Sequence, residues 1–121
     1  MARVLVVDDE DLVRNLMLEI LERADFEVAG AATAEEALGL IEQDGYDIVV
    51  TDAVMPRFSG FELVRELRRR WPEMPVIVAT GATTDSTITE ARAAGANDVL
   101  TKPFSHAELI GAIRSALGAA R

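Results

Sequence analysis

A three-layer α/β sandwich, doubly wound around a parallel sheet, is the fold class this sequence predicts. Three observations carry the prediction. Short runs of β-branched and aliphatic residues alternate along the chain with segments of helical period, an order that gives parallel strands joined by right-handed crossovers. The strand runs are continuously apolar rather than alternating, which suits strands covered on both faces. Several helical segments open on a hydroxyl residue followed three positions later by glutamate, the pattern of a capped helix start.

The elements follow in order. Arg3 to Val7 is a buried-strand run that ends in Asp8-Asp9. Glu10 to Ala24 carries Leu12, Val13, Leu16, Met17, Ile20 and Leu21 at helical spacing, read as one apolar stripe. Phe26 to Ala32 is a weaker strand with no reactive residue at its end. Thr33 caps a helix bearing Ala37, Leu38, Leu40 and Ile41, which stops near Gly45. The third strand lies within Tyr46 to Pro56: Ile48, Val49 and Val50 form its core, it stops at Asp52, and Pro56 bars further ladder pairing. Ser59 caps a third helix, which is expected to bury Phe61, Leu63, Val64 and Leu67 and to end at Trp71-Pro72. Pro75 to Ala79 is the fourth strand, ending in Thr80. Thr84 to Ala94 is a Thr-rich helix of low propensity, closed by Gly95. Asp98 to Thr101 is the fifth strand, ending at Lys102-Pro103. Ser105 caps a last helix that uses Leu109, Ile110, Ile113, Ala116 and Leu117. Five such units favour the flavodoxin-like strand order 2-1-3-4-5.

Composition narrows the function. The chain has 121 residues, the size of one domain spanning residues 1–121. It has no cysteine, so disulfides and thiolate metal sites are excluded. There is no signal-peptide pattern, and no apolar run approaches the roughly 18 residues of a membrane span. A cytoplasmic protein with no membrane association is expected. Twelve basic residues stand against 21 acidic ones, a net charge of −9. That balance argues against direct contact with nucleic acid, which needs a basic footprint.

Four of the five strands end in a group able to handle a phosphate or a metal: Asp8 and Asp9, Asp52, Thr80, and Lys102. Parallel strands finish at one edge, so these side chains converge there. Ligands of open α/β sheets bind at that carboxyl edge, at the switch point in strand order, here between strands one and three. Those strands carry the three aspartates. Three crowded carboxylates repel one another and call for a cation. With oxygen ligands alone, the cation is Mg²⁺ or Mn²⁺. A divalent metal, a lysine and a hydroxyl around one carboxylate are what phosphoryl transfer to that carboxylate requires. Asp52 is then a nucleophile forming an acyl phosphate.

Taken together, Val7-Asp8-Asp9, Asp52 to Pro56 followed by Gly60, Ala79-Thr80 and Lys102-Pro103-Phe104 resemble the receiver domain of two-component response regulators over essentially the full chain. The resemblance implies that Asp52 accepts a phosphoryl group from a sensor histidine kinase or phosphotransfer protein. It implies that Asp9 ligates Mg²⁺ directly, that Asp8 acts mostly through water, and that the Val54 backbone carbonyl is a further ligand. Thr80 would move toward the phosphoryl group and Lys102 would pair with it. The Lys102–Pro103 bond is expected to be cis. Output would pass through the surface of helix four, strand five and helix five to a protein partner or effector domain, and a homodimer is left open. Such a domain is no conventional enzyme, although it assists its own phosphorylation and dephosphorylation.

Three positions depart from the commoner pattern of that family. Val99 stands where many members carry an aromatic ring. Val54 is apolar and Ala82 small at positions flanking the water path, so both are expected to alter phosphoryl lifetime. His106 reads as an exposed polar residue, and Arg65, Arg68, Arg69 and Arg70 as a solvated face paired with Glu62 and Glu66. The Thr84 to Ala94 helix is either a poor helix held by packing or the compliant element of a switch.

Other classes fit less well. A phosphohydrolase of the haloacid-dehalogenase type needs a second acid two residues after the nucleophile, where this chain has Val54. Its acidic pair also comes last in the chain, and here it comes first. A flavin-type phosphate cradle after strand one is precluded by Asp8-Asp9-Glu10-Asp11, which repels phosphate. With 121 residues there is no room for an output module, so the chain is either a stand-alone receiver or a piece of a longer protein.

Overall fold

The computed structural model describes residues 2–55, 58–81 and 84–119. Pro56 and Ala82, both singled out above, lie outside the described residues. The elements are β1 (Arg3–Val7), α1 (Asp11–Arg23), β2 (Glu27–Ala31), α2 (Ala34–Asp44), β3 (Ile48–Asp52), α3 (Gly60–Arg70), β4 (Val76–Thr80), α4 (Asp85–Ala94), β5 (Asp98–Thr101) and α5 (His106–Ala119). Every strand pairing is parallel, and the sheet order is β2-β1-β3-β4-β5. The expected topology is therefore the observed one.

The two-residue period of a strand sorts the core into two layers. Val4, Val6, Ile48, Val50 and Ile77 pack with Met17, Ile20 and Leu21 of α1 and with Leu109 and Ile113 of α5. Leu5, Val7, Val49, Val76 and Val78 pack on the other face with α2, α3 and α4. Both faces of β3 and β4 are buried, as their unbroken apolar runs require. Each large aliphatic chain removed from water contributes about 1.5–3 kcal/mol.

Hydroxyl caps start four of the helices. Thr33, Ser59, Thr84 and Ser105 accept from the backbone N–H of Glu36, Glu62, Thr87 and Glu108. Ser105 and Glu108 complete the reciprocal box, with the Ser105 N–H donating to the Glu108 carboxylate at 3.0 Å. α1 is the exception: Glu10 occupies its N-cap position without capping it.

Three packing expectations need correction. Leu12 and Leu16 are 86% and 56% exposed, so α1 does not bury its whole apolar set. Val13, Met17, Ile20 and Leu21 already fill the inward face, and Leu12 and Leu16 lie four apart on a neighbouring face. Phe61 is only half-buried, whereas Leu63, Val64 and Leu67 are fully enclosed. Nor is Arg68 part of a solvated face. It is half-buried and donates to the Gly95 and Pro72 carbonyls and the Asn97 side chain at 2.8, 3.2 and 2.7 Å, and also to the Met74 carbonyl. Of the other arginines, Arg69 pairs with Glu66 as expected, whereas Arg65 and Arg70 pair with Glu90 of α4 and Glu42 of α2 rather than with Glu62.

α4 is the least embedded helix. Only Ala91 and Ala94, near its C-terminal end, are buried. That end is tied down through Gly95, whose φ of 114° suits only glycine. A Cβ there would also sit 2.5 Å from the Arg68 side chain.

Candidate functional site

The site is assembled by register. Val7 of β1 pairs with Thr51 of β3, and Asp52 of β3 pairs with Ala79 of β4. Thr80 in turn pairs with Thr101 of β5. Asp8, Asp52, Thr80 and Lys102 therefore finish side by side at the carboxyl edge of β1, β3, β4 and β5. β2, whose end carries no reactive group, is at the sheet margin.

Asp8 is 1% exposed and fully engaged. One carboxylate oxygen accepts from the Glu10 N–H at 2.9 Å and the other pairs with Lys102 Nζ at 2.8 Å. Its own N–H donates to the Ala31 carbonyl, and its carbonyl accepts from Arg14. Asp52 is 9% exposed. Its Oδ1 accepts from the Ala53 N–H at 2.8 Å and lies 3.6 Å from Lys102 Nζ. One lysine thus bridges two aspartates.

The electrostatics follow from this geometry. Burial pushes the Asp52 carboxyl above the usual carboxylate range, and Asp8 adds to the push. Lys102 and the backbone N–H groups of Ala53 and Val54 pull the other way without cancelling it. For Lys102, burial alone would lower the pKa. Asp8, Asp52 and Glu10 outweigh burial, and the net shift is upward, so the ammonium charge is secure.

Backbone packing holds Asp52 in place. After β3 the chain turns and begins α3 with Gly60, whose N–H donates to the Ala53 carbonyl at 3.0 Å. A Cβ on Gly60 would lie 1.9 Å from the Asp52 carbonyl oxygen, so only glycine allows this approach. Thr51 also donates its hydroxyl to that carbonyl at 3.0 Å. Thr80 is buried, and its carbonyl accepts from the Lys102 N–H at 2.9 Å. The Lys102–Pro103 bond is cis, as expected.

The remaining expected positions fall as follows. Asp9 is exposed in the turn after β1. Val54 is 72% exposed in the loop after Asp52. Val99 is half-buried on β5 and packs against the layer formed by α2, α3 and α4. His106 is exposed at the start of α5. Sequence reasoning missed Glu10. Ligand oxygens of Asp8, Glu10 and Asp52 all lie within 4.8 Å of one another. The four-acid run was visible, but not which of its members turn toward Asp52. These three carboxylates against a single lysine leave excess negative charge, and every donor is a hard oxygen. The set fits a divalent cation such as Mg²⁺.

Comparison with known proteins agrees with this arrangement. Residues 4–114 match the family model described as the response regulator receiver domain. The response regulator MprA of Mycolicibacterium vanbaalenii is 39% identical over 115 residues, which cover 95% of this chain and 50% of that protein. The DNA-binding transcriptional regulator NtrC of Rhizobium meliloti is 37% identical over 116 residues, 96% of this chain and 24% of its own length. The chain thus spans half or less of the length of these relatives. Among solved structures, Vibrio cholerae chemotaxis protein CheY4 superposes with a TM-score of 0.92 at 32% identity, covering 96% of this chain and 98% of that one. NtrX from Brucella abortus gives 0.93 at 33% identity, over 98% of this chain and 27% of its own. No helix among the described residues is long and apolar enough to cross a membrane.

Proposed function

Because the chain belongs to the receiver domains of two-component response regulators, we propose that Asp52 is its phosphoacceptor and that a sensor histidine kinase or phosphotransfer protein is the donor. An Asp52 oxygen attacks phosphorus, the bond from phosphorus to the donor imidazole breaks, and an acyl phosphate remains on Asp52. One observation carries the reading. Asp52 is a buried carboxylate with a raised pKa, held 3.6 Å from the one lysine of the site. Burial of a charge with so little compensation is tolerated where chemistry needs it.

Asp8, Asp9, Asp52 and the Val54 carbonyl would hold Mg²⁺, or Mn²⁺ in its place. The cation supplies charge neutralisation for the incoming phosphoryl oxygens. Lys102 keeps its ammonium charged and, released from sharing with Asp8, pairs with the new phosphoryl group. The Thr80 hydroxyl turns to the same group. Val54 and Ala82 tune its lifetime. With Val99 in place of a ring, the signal leaves through α4 itself, the helix with the least buried surface. The output surface is α4, β5 and α5, read by a protein partner, an effector domain or a second copy of the chain. The net charge of −9 supports a protein rather than nucleic acid as the direct partner of these residues. Residues 1–121 acting as one domain in the cytoplasm, away from the membrane, complete the reading. The family is not one of conventional enzymes.

The test is intact mass after incubation with Mg²⁺ and a small phosphodonor. The wild type is expected to gain one phosphoryl group and Asp52→Asn none. Equal gain in the mutant, or none in the wild type, rejects the proposal.

A further inference from the structure

The run Asp8 to Asp11 divides its four acids between different tasks. Asp11 turns to Arg14, at 2.6 Å. Asp8 is buried and pairs with Lys102. The Glu10 N–H donates to the Asp8 carboxylate at 2.9 Å, which folds the turn back on itself. The Glu10 side chain makes no hydrogen bond to α1, the helix it precedes. Its carboxylate instead lies with those of Asp8 and Asp52, as the exposed member of the three. Holding a third carboxylate there raises repulsion in a cluster that one lysine serves, a cost that a bound divalent cation reverses.

We propose that Glu10 is a working part of the cation site, its carboxylate joining those of Asp8 and Asp52 in attracting and holding Mg²⁺. The inference rests on the Mg²⁺-dependent reading above and adds a residue to it. Glu10 strengthens cation binding before any phosphoryl group arrives. The same residue destabilises the cation-free protein.

Mg²⁺ titration by calorimetry, combined with thermal melts in chelator, tests this on the full 121-residue chain. Glu10→Gln keeps the backbone N–H that Asp8 accepts from, so the turn is preserved. It is expected to weaken Mg²⁺ about tenfold, the lower end of what a supporting partner of a metal site contributes. In chelator the same variant is expected to melt higher than wild type, by about 3 °C, the shift for a fraction of a kcal/mol in a domain of this size. Asp9→Asn serves as the comparison, since its loss alone would assign the affinity to the neighbouring acid. If wild type binds no Mg²⁺, the functional reading itself fails. If wild type binds and Glu10→Gln binds equally well, only the role of Glu10 is overturned. A Glu10→Gln protein that melts lower in chelator also overturns it, because the residue would then be structural.

Discussion

Arg68 at the amino edge of the sheet and Lys102 at its carboxyl edge face opposite surroundings. At the amino edge Arg68 spends its donors on neutral acceptors: the carbonyls of Gly95, Pro72 and Met74 and the Asn97 side chain. Asn97 uses the same oxygen to accept from the Val76 N–H at 2.8 Å. The end of α3, the loop into β4 and the loop into β5 are tied together through one guanidinium whose hydrogen bonds all go to neutral oxygens. At the carboxyl edge Lys102 faces Asp8, Asp52 and Glu10 and neutralises only part of their charge. The same strands run through both ends. Donors and acceptors match at the amino edge and not at the carboxyl edge, and an undercompensated buried carboxylate is the kind of group that gains most from a cation or a covalent modification.

Gly60→Ala makes the largest break in this contrast. Its Cβ meets the Asp52 carbonyl oxygen at 1.9 Å, and backbone cannot step aside as a flexible side chain can. A loss of about 3 kcal/mol, seen as a lower denaturation midpoint, is expected from such overpacking. An unchanged midpoint would mean that the turn after β3 is soft and that Asp52 is not held by it.

Arg68→Ala comes next. Removing a half-buried cation that serves several acceptors is expected to cost about 2 kcal/mol. Arg68→Lys should recover only part, because an ammonium cannot reproduce the planar fork. Full recovery by lysine would show that charge, not the fork, closes the amino edge.

Asp52→Asn is expected to act in the opposite direction and more weakly. The folded-state pKa of Asp52 lies above its unfolded value, so folding is opposed once the group ionises. The cost is absent below the ordinary carboxylate pKa, where both states are protonated. It builds as pH rises toward the folded pKa and is complete above it. In chelator, the mutant should therefore melt higher than wild type at neutral pH and equal to it in acid. A mutant that melts lower at neutral pH would mean that Lys102 overcompensates Asp52 and that the carboxyl edge is not strained.

Much of this architecture was legible along the chain because it rests on local physics. The runs Val4 to Val7, Ile48 to Val50 and Val76 to Ala79 are buried strands whatever surrounds them. Thr33, Ser59 and Ser105 announce helix starts through a hydroxyl and a nearby N–H. Asp8, Asp52, Thr80 and Lys102 share an edge because parallel strands must end together. Leu12 and Leu16 misled the reading of α1, since period alone does not say how wide a face the sheet covers.

The sequence by itself therefore determined the class of fold, the strand order and the group of polar side chains that share the carboxyl edge, since each depends on spacing and polarity over a few residues. Only the tertiary structure decided that Glu10 turns toward Asp52, that Arg68 closes the far edge instead of facing solvent, and that Gly60 must lack a side chain. Those outcomes are set by distances between segments far apart in the chain, or by the direction a side chain takes out of a turn. Neither is written in the period of the hydrophobic pattern.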